Sequence, residues 1–192
     1  MIKKYETIKN LLSTSNGIAV VQTTLPSQAV FIAKKLLEKG VRAMEIAYRD
    51  CENYDGSDEC IRAVVDEVPE MLIGAATITN PKLAKRAIKA GARFILTAGF
   101  NQATVRYCVR KSFPIFPGVS TPGEIEQAMM FGLDTLKLFP AKMLGGTDYL
   151  KALNGPYPDV QFIVTGGVNA ENAEEYKKCP NVLCVSGSFL CK

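Results

Sequence analysis

The sequence places one lysine, Lys137, inside a short apolar segment at residues 134–140. Side chains alternate between the two faces of a strand, so Leu136 and Leu138 share one face and Lys137 occupies the other. If the leucines pack against outer helices, Lys137 points into the interior. Burial disfavours the charged ammonium and leaves a free amine that can attack a ketone and form a Schiff base. Position alone leaves open a lysine that reaches solvent or pairs with a carboxylate.

A second polar side chain interrupts the apolar segment at residues 42–49. The same alternation sends Met44 and Ile46 outward and Glu45 inward, so an interior carboxylate can face the interior amine of Lys137. Such a pair can move protons, although a purely structural ion pair is the alternative. Arg49 follows the segment and can clamp a carboxylate with two hydrogen bonds, unless it is simply solvated.

Two turns near the carboxyl end of the chain are rich in glycine and hydroxyl groups. They contain Gly166 and Gly167 after one apolar segment, and Gly187 and Ser188 after the next. Glycine lets backbone N–H groups approach an anion closely, and barrels of alternating strands and helices often bind phosphate with their last two loops. The pattern therefore indicates a phosphate site, with two ordinary tight turns as the alternative.

Short apolar segments alternate with helical periodicity along the whole chain. The predicted strands are residues 17–21, 43–47, 71–75, 93–97, 114–116, 135–138, 162–164 and 182–185. The predicted helices between them are residues 28–39, 58–68, 81–90, 102–110, 121–131, 147–154 and 169–176. Alternation of this kind is typical of a parallel sheet, because parallel neighbours need a crossover connection.

Eight such units favour a closed (β/α)8 TIM barrel over an open sheet. The leading segment, residues 2–12, is predicted to be an extra helix that covers the N-terminal mouth of the barrel. A length of 192 residues fits a single domain, so we expect residues 1–192 to form one barrel. In such barrels the working residues lie at the carboxyl ends of the strands, which is where Glu45, Lys137 and the two glycine turns fall.

Composition narrows the chemistry. The chain contains no histidine, which excludes Ser-His-Asp and Cys-His catalysis and the His-containing metal sites. We expect neither a metal nor a cofactor.

The net charge of +4 is small and its charged residues are scattered along the chain, so nucleic acid is not an expected partner. No apolar stretch suits a signal peptide or a membrane span, and the six cysteines form no CxxC pair, so we expect a cytoplasmic protein with reduced thiols.

Five motifs, in this order and spacing, carry a resemblance to a known family. They are residues 40–49 (GVRAMEIAYR), 73–77 (IGAAT), 117–121 (PGVST), 136–141 (LKLFPA) and 165–167 (TGG) with Gly187 and Ser188. The chain resembles the 2-keto-3-deoxy-6-phosphogluconate (KDPG) aldolase and 4-hydroxy-2-oxoglutarate (KHG) aldolase family over nearly its whole length. The pattern departs from the family at Ser186, where a glycine is common, and at an acidic, insertion-like stretch, residues 50–57.

The resemblance implies a role for each motif residue. Lys137 is expected to form the Schiff base, with Glu45 as general acid and base. Further residues are expected to contact substrate: Arg49 and Thr77 at the pyruvyl carboxylate, Phe139 and Thr165 along the pocket, and Gly166, Gly167 and Ser188 at a distal phosphate. The family also implies a homotrimer.

We therefore expect a class I aldolase that reversibly cleaves a 2-keto-3-deoxy-6-phospho sugar acid to pyruvate and glyceraldehyde 3-phosphate. An aldolase for unphosphorylated 4-hydroxy-2-oxoglutarate or a related keto acid is the first alternative. A sugar-phosphate-binding barrel without catalysis is the second, and the presence of both Glu45 and Lys137 argues against it. A metal-dependent phosphosugar epimerase on the same fold would lack its usual histidine ligands.

Overall fold

The computed structural model describes residues 2–192 and contains nine strands and eight α-helices within them. The strands are β1 (Ile18–Val21), β2 (Ala43–Ala47), β3 (Leu72–Ala76), β4 (Ile95–Leu96), β5 (Ile115–Phe116), β6 (Gly118–Val119), β7 (Thr135–Leu138), β8 (Gln161–Val164) and β9 (Val182–Gly187). The helices are α1 (Ile2–Thr14), α2 (Pro26–Glu38), α3 (Tyr54–Glu67), α4 (Pro81–Ala90), α5 (Gln102–Arg110), α6 (Pro122–Met129), α7 (Gly146–Asn154) and α8 (Ala173–Lys177), and a 3-10 helix covers Ser188–Cys191.

The strands form one parallel sheet that curls into a nearly closed barrel. Its order is β5-β4-β3-β2-β1-β9-β8-β7-β6. Only Pro117 separates β5 from β6: β5 pairs with β4 on one side, and β6 pairs with β7 on the other. These two short strands therefore act as one barrel strand that bends at Pro117, so the predicted (β/α)8 barrel with an extra N-terminal helix is confirmed. That residues 1–192 act as a single domain stays a prediction.

Helix boundaries follow local capping chemistry. The Asn80 side chain accepts a hydrogen bond from the Leu83 N–H, and Pro81 occupies the first turn of α4. Thr121 and Glu124 form a capping box at the start of α6. Gly91 ends α4 at φ 109°, a left-handed conformation that glycine adopts without steric cost.

Two predicted helix starts were wrong, and asparagine side chains explain both. Helix α3 begins at Tyr54 rather than at residue 58, because the Asn53 side chain caps it by accepting from the Gly56 N–H. The last helix was predicted from residue 169 but begins at Ala173. There the Asn169 and Asn172 side chains each accept a hydrogen bond from the other's backbone N–H, which forms a turn in place of a helical start.

Apolar side chains fill both the barrel interior and the layer between strands and helices. Leu136 and Leu138 are fully buried, as the alternation predicts for a strand covered by helices. Close packing inside the barrel depends on one missing side chain: a Cβ at Gly74 would lie 2.4 Å from the ring of the buried Phe94. Glycine at this position therefore makes room for the aromatic ring.

Helix α1 lies across the N-terminal end of β7, as predicted. The Tyr5 hydroxyl donates to the Thr135 carbonyl (3.1 Å) and accepts from the Thr135 N–H (3.2 Å). Lys9 forms an ion pair with Asp134 at 3.2 Å, and the Tyr5 ring packs 5.3 Å from the Phe116 ring. The helix thus covers the mouth of the barrel opposite to the end where the strands finish. None of the helices described within residues 2–192 has the length and apolarity to cross a membrane.

We predict that Tyr5→Phe lowers the free energy of unfolding by about 1–3 kcal/mol, because it leaves the buried N–H and carbonyl of Thr135 without this hydrogen-bond partner. Urea denaturation followed by circular dichroism measures this loss. Tyr107→Phe is the matched control, since the described residues offer no hydrogen-bond partner to the Tyr107 hydroxyl. Equal stability of the two variants would contradict the proposed role of the Tyr5 hydroxyl.

Candidate active site

The barrel interior brings Lys137 of β7 and Glu45 of β2 together. Lys137 Nζ lies 3.8 Å from Glu45 Oε1, and the two side chains are 8% and 1% exposed. The lysine therefore does not reach bulk solvent, which removes one of the alternatives left open by the sequence. The separation is too long for a direct hydrogen bond.

Glu45 is a buried carboxyl group that has no hydrogen-bond partner among the described residues. Both of its oxygens lack a donor among the described residues. Burial raises the pKa of Glu45, and the positive charges of Lys137 and Arg49 oppose that rise only in part. The thiol of Cys184 lies in the same dry interior. Burial raises the pKa of Cys184 to about 12, and the charge of Glu45 makes a smaller contribution in the same direction. A buried carboxyl group with a raised pKa is a candidate general acid and base.

The backbone around Lys137 is held by the strand that closes the barrel. The Lys137 N–H donates to the Pro117 carbonyl at 2.8 Å. Gly118 pairs with Lys137 in register, and its N–H donates to the Thr97 hydroxyl at 2.8 Å. A Cβ at Gly118 would lie 2.3 Å from the Ala98 carbonyl oxygen, so only glycine fits beside this loop. Thr97 thus helps to position the strand next to the lysine, a role that its sequence context did not reveal.

The pairing of β2 with β3 brings Arg49 and Thr77 to the same end of the barrel. Ala47 pairs with Ala76, so the residues that follow the two strands leave the sheet side by side. Arg49 is exposed, and its Nη1 donates to the Gln22 side chain at 3.3 Å. Thr77 is half-buried with φ 59°, an uncommon left-handed conformation for a β-branched residue. Backbone strain of this sort is concentrated at functional sites.

The acidic stretch at residues 50–57 does not neutralise Arg49. Asp55 and Asp58 both pair with Arg86 of α4. The buried Tyr48 hydroxyl donates to Asp58 Oδ1 at 2.6 Å. This network joins α3 and α4 to the backbone immediately before Arg49, so it fixes the loop while leaving the guanidinium available. The sequence did not single out Tyr48, Asp58 or Arg86.

The turn at Gly166 and Gly167 follows β8, at the end of the barrel where the strands finish. Both residues have positive φ, 89° and 84°. Their carbonyls are occupied: Gly166 O accepts from the Lys142 N–H, and Gly167 O accepts from Asn172 Nδ2, each at 3.0 Å. Within residues 2–192, neither glycine N–H donates a hydrogen bond. Consecutive free N–H groups form a concave site suited to an anion.

The remaining predicted pocket residues line the same end. Thr165 is buried, and its backbone bridges β7 and β8 by donating to Leu138 O and accepting from the Ala141 N–H. The Phe139 ring is 38% exposed, with its centroid 6.0 Å from Lys137 Nζ. Ser188 is exposed at the start of the 3-10 helix. Ser186 is fully buried, and its hydroxyl has no partner among the described residues.

Comparison with known proteins agrees with this geometry. The family model "Aldolase: KDPG and KHG aldolase" matches residues 8–192. A 2-dehydro-3-deoxy-phosphogluconate aldolase of Treponema pallidum is 38% identical over 96% of this chain and 86% of that protein. A KHG/KDPG aldolase of Escherichia coli is 34% identical over 95% of this chain and 84% of that protein.

A solved structure gives the same result in three dimensions. The KDPG aldolase of Legionella pneumophila, which holds pyruvate as a covalent carbinolamine intermediate, superposes with a TM-score of 0.88 at 31% identity. The alignment covers 94% of this chain and 86% of that one. Sequence, fold and site therefore agree, and this chain is a carbon–carbon lyase that belongs to the KDPG and KHG aldolase family.

Proposed function

We propose that this protein is a class I aldolase that reversibly cleaves 2-keto-3-deoxy-6-phosphogluconate to pyruvate and glyceraldehyde 3-phosphate. The observation that carries the proposal is the buried pair of Lys137 and Glu45, with 3.8 Å between amine and carboxyl group. Family membership and the names of the relatives support the same reaction.

In the cleavage direction, the uncharged amine of Lys137 attacks the C2 ketone and forms a carbinolamine. Glu45 donates a proton to the carbinolamine hydroxyl, which leaves as water, and the nitrogen and C2 become a protonated imine. That cation withdraws electrons from the C3–C4 bond. Burial raises the pKa of Glu45, which favours the protonated form that this step uses.

The ionised Glu45 then accepts the proton of the C4 hydroxyl. The C3–C4 bond breaks, its electron pair moves into an enamine, and the aldehyde leaves. Protonation of the enamine carbon followed by addition of water to the imine releases pyruvate and restores Lys137. Acid and base assistance of this type contributes about 10²- to 10⁴-fold to the rate.

The pocket residues have complementary roles in this proposal. Arg49 and Thr77 bind the carboxylate of the pyruvyl part, since both lie where β2 and β3 end and the Arg49 guanidinium forms no ion pair within residues 2–192. Phe139 and Thr165 shape the walls beside Lys137. The turn at Gly166 and Gly167, together with Ser188, binds the distal phosphate through the free N–H groups and a hydroxyl.

The free N–H groups favour a phosphorylated substrate over the alternative of unphosphorylated 4-hydroxy-2-oxoglutarate. The two carbonyls already accept hydrogen bonds, and the two N–H groups donate none within residues 2–192, which suits the binding of a multiply charged oxyanion. A binding barrel without catalysis has no use for a buried carboxyl group that lacks a partner, because such a group costs stability.

We further propose a homotrimer in the cytoplasm. The resemblance to the family supports the trimer, and large exposed apolar side chains are available to form interfaces: Leu25, Phe31, Met130 and Met143. Sedimentation equilibrium tests the oligomeric state. All six cysteines are unpaired, which suits a reducing compartment.

Borohydride reduction in the presence of pyruvate is expected to attach the pyruvyl carbon skeleton to Lys137 and to no other lysine. Peptide mass mapping locates the adduct. Lys137→Gln is expected to lose both the adduct and the aldolase activity, whereas Lys151→Gln, at an exposed lysine on α7, keeps both. An adduct on another lysine would overturn the assignment.

Glu45→Gln is expected to lower kcat by about 10²- to 10⁴-fold while pyruvate still forms the trapped adduct at long incubation. The wild-type kcat is expected to fall on acidification at a pH above the range of an ordinary exposed carboxyl group, because burial raises the pKa of Glu45, which must be ionised in the bound imine to accept the proton of the C4 hydroxyl. Initial-rate assays across the acidic range measure both effects. The residual activity of the Glu45→Gln variant is expected to lack this fall of rate on acidification.

A stability measurement provides the control for the Glu45 assignment. The folded-state pKa is raised, so the stabilising contribution of the protonated form is lost as pH rises through that pKa. Wild type therefore loses stability relative to Glu45→Gln over this interval, as followed by urea denaturation. Two results together would contradict a buried base at Glu45. The wild-type rate would fall only at the pH where an exposed glutamate titrates, and the two proteins would show no difference in stability.

Gly167→Ala is expected to reduce kcat/KM for the phosphorylated substrate by about tenfold or more, with little change for the unphosphorylated one. The added Cβ meets a positive φ of 84° and lies 2.5 Å from Lys142 Cβ, so the turn must move. Gly40→Ala is the matched control, because Gly40 has φ 74° with open space around its missing Cβ. Equal losses of kcat/KM for both substrates would contradict the assignment of this turn to the phosphate.

A further inference from the structure

The side chain of Lys142 lies against the glycine turn that the proposed function assigns to phosphate. A Cβ built at Gly167 would lie 2.5 Å from Lys142 Cβ and 2.9 Å from its Cδ. The Lys142 N–H also donates to the Gly166 carbonyl at 3.0 Å. Both the backbone and the side chain of Lys142 therefore contact the turn. The amine of Lys142 is only two bonds beyond Cδ.

Lys142 is exposed and carries an unused positive charge. The ion pairs found within residues 2–192 involve other cations, and Lys142 forms none of them. Its stem nevertheless packs beside Gly167 from Cβ to Cδ. Across the turn, the N–H groups of Gly166 and Gly167 are also without acceptors among the described residues.

We infer that Lys142 is a specificity-determining residue that pairs with the phosphate held by the Gly166–Gly167 turn. The inference rests on the proposed function and extends it, since neither the motifs nor the family resemblance assigned Lys142 a role. The turn supplies directional N–H donors that neutral oxygens can also use, whereas the ammonium distinguishes a phosphate by its charge. Lys142 therefore sets the preference for a charged end over a neutral one and takes no part in the chemistry at Lys137.

The test compares kcat/KM for 2-keto-3-deoxy-6-phosphogluconate and for its unphosphorylated counterpart in wild type and in Lys142→Gln. We expect the variant to lose about tenfold or more with the phosphorylated substrate and less than about twofold with the other. Lys142→Arg is expected to restore most of the preference. Added salt is expected to weaken the preference of wild type more than that of Lys142→Gln, because salt screens charge pairs at the surface.

Lys89→Gln is the matched control. It removes the same charge from an exposed lysine in the last turn of α4, at the opposite end of the barrel from the glycine turn. Trapping of pyruvate on Lys137 by borohydride is expected to be unchanged in both variants, because this step does not use the phosphate site.

The outcomes separate the inference from the proposed function. A Lys142→Gln enzyme that keeps the wild-type preference for the phosphorylated substrate overturns the inference and leaves the proposed function standing. Equal losses with both substrates, or slower trapping of pyruvate, also overturn it, because Lys142 then acts on the chemistry. A wild-type enzyme that does not distinguish the two substrates overturns the phosphate part of the proposed function itself.

Discussion

A carboxyl group in a dry barrel is the constraint on which the rest of this structure depends. Glu45 is fully buried, no side chain or backbone group within residues 2–192 donates a hydrogen bond to it, and the amine of Lys137 lies beyond hydrogen-bonding distance. An arrangement of this kind costs stability and persists where function requires it. The glycine at position 118, the Thr97 hydroxyl and the Pro117 carbonyl then hold the lysine strand at the required distance.

The sequence predicted those features of the site that depend on periodicity. Alternation along two strands was sufficient to place Glu45 and Lys137 in the interior, and the order of strands placed both glycine turns at one end of the barrel. These inferences succeed because a strand has only two faces and a parallel barrel has only one carboxyl end. The fold follows from the same regularity, and motif resemblance added the candidate roles of Arg49 and Thr77.

Contacts between distant segments could not be predicted in this way. The ion pairs of Arg86 with Asp55 and Asp58, and the hydrogen bond between Thr97 and Gly118, connect residues from separate repeats, and no local pattern distinguishes them from solvated side chains. The start of α8 was predicted too early for a different reason. Two asparagine side chains compete locally with helical hydrogen bonds. Side-chain competition of that kind overrides helical periodicity.

Helix α1 covers the N-terminal mouth of the barrel through Tyr5 and Lys9, which leaves the end where the strands finish as the open end. Two fragments that share one exit must leave in sequence. Under the proposed function, the pyruvyl fragment is bound covalently to Lys137 in the interior, while the aldehyde end lies near the turn at Gly166 and Gly167. Geometry alone therefore favours departure of the aldehyde first and of the keto acid second, with the reverse order of entry for synthesis.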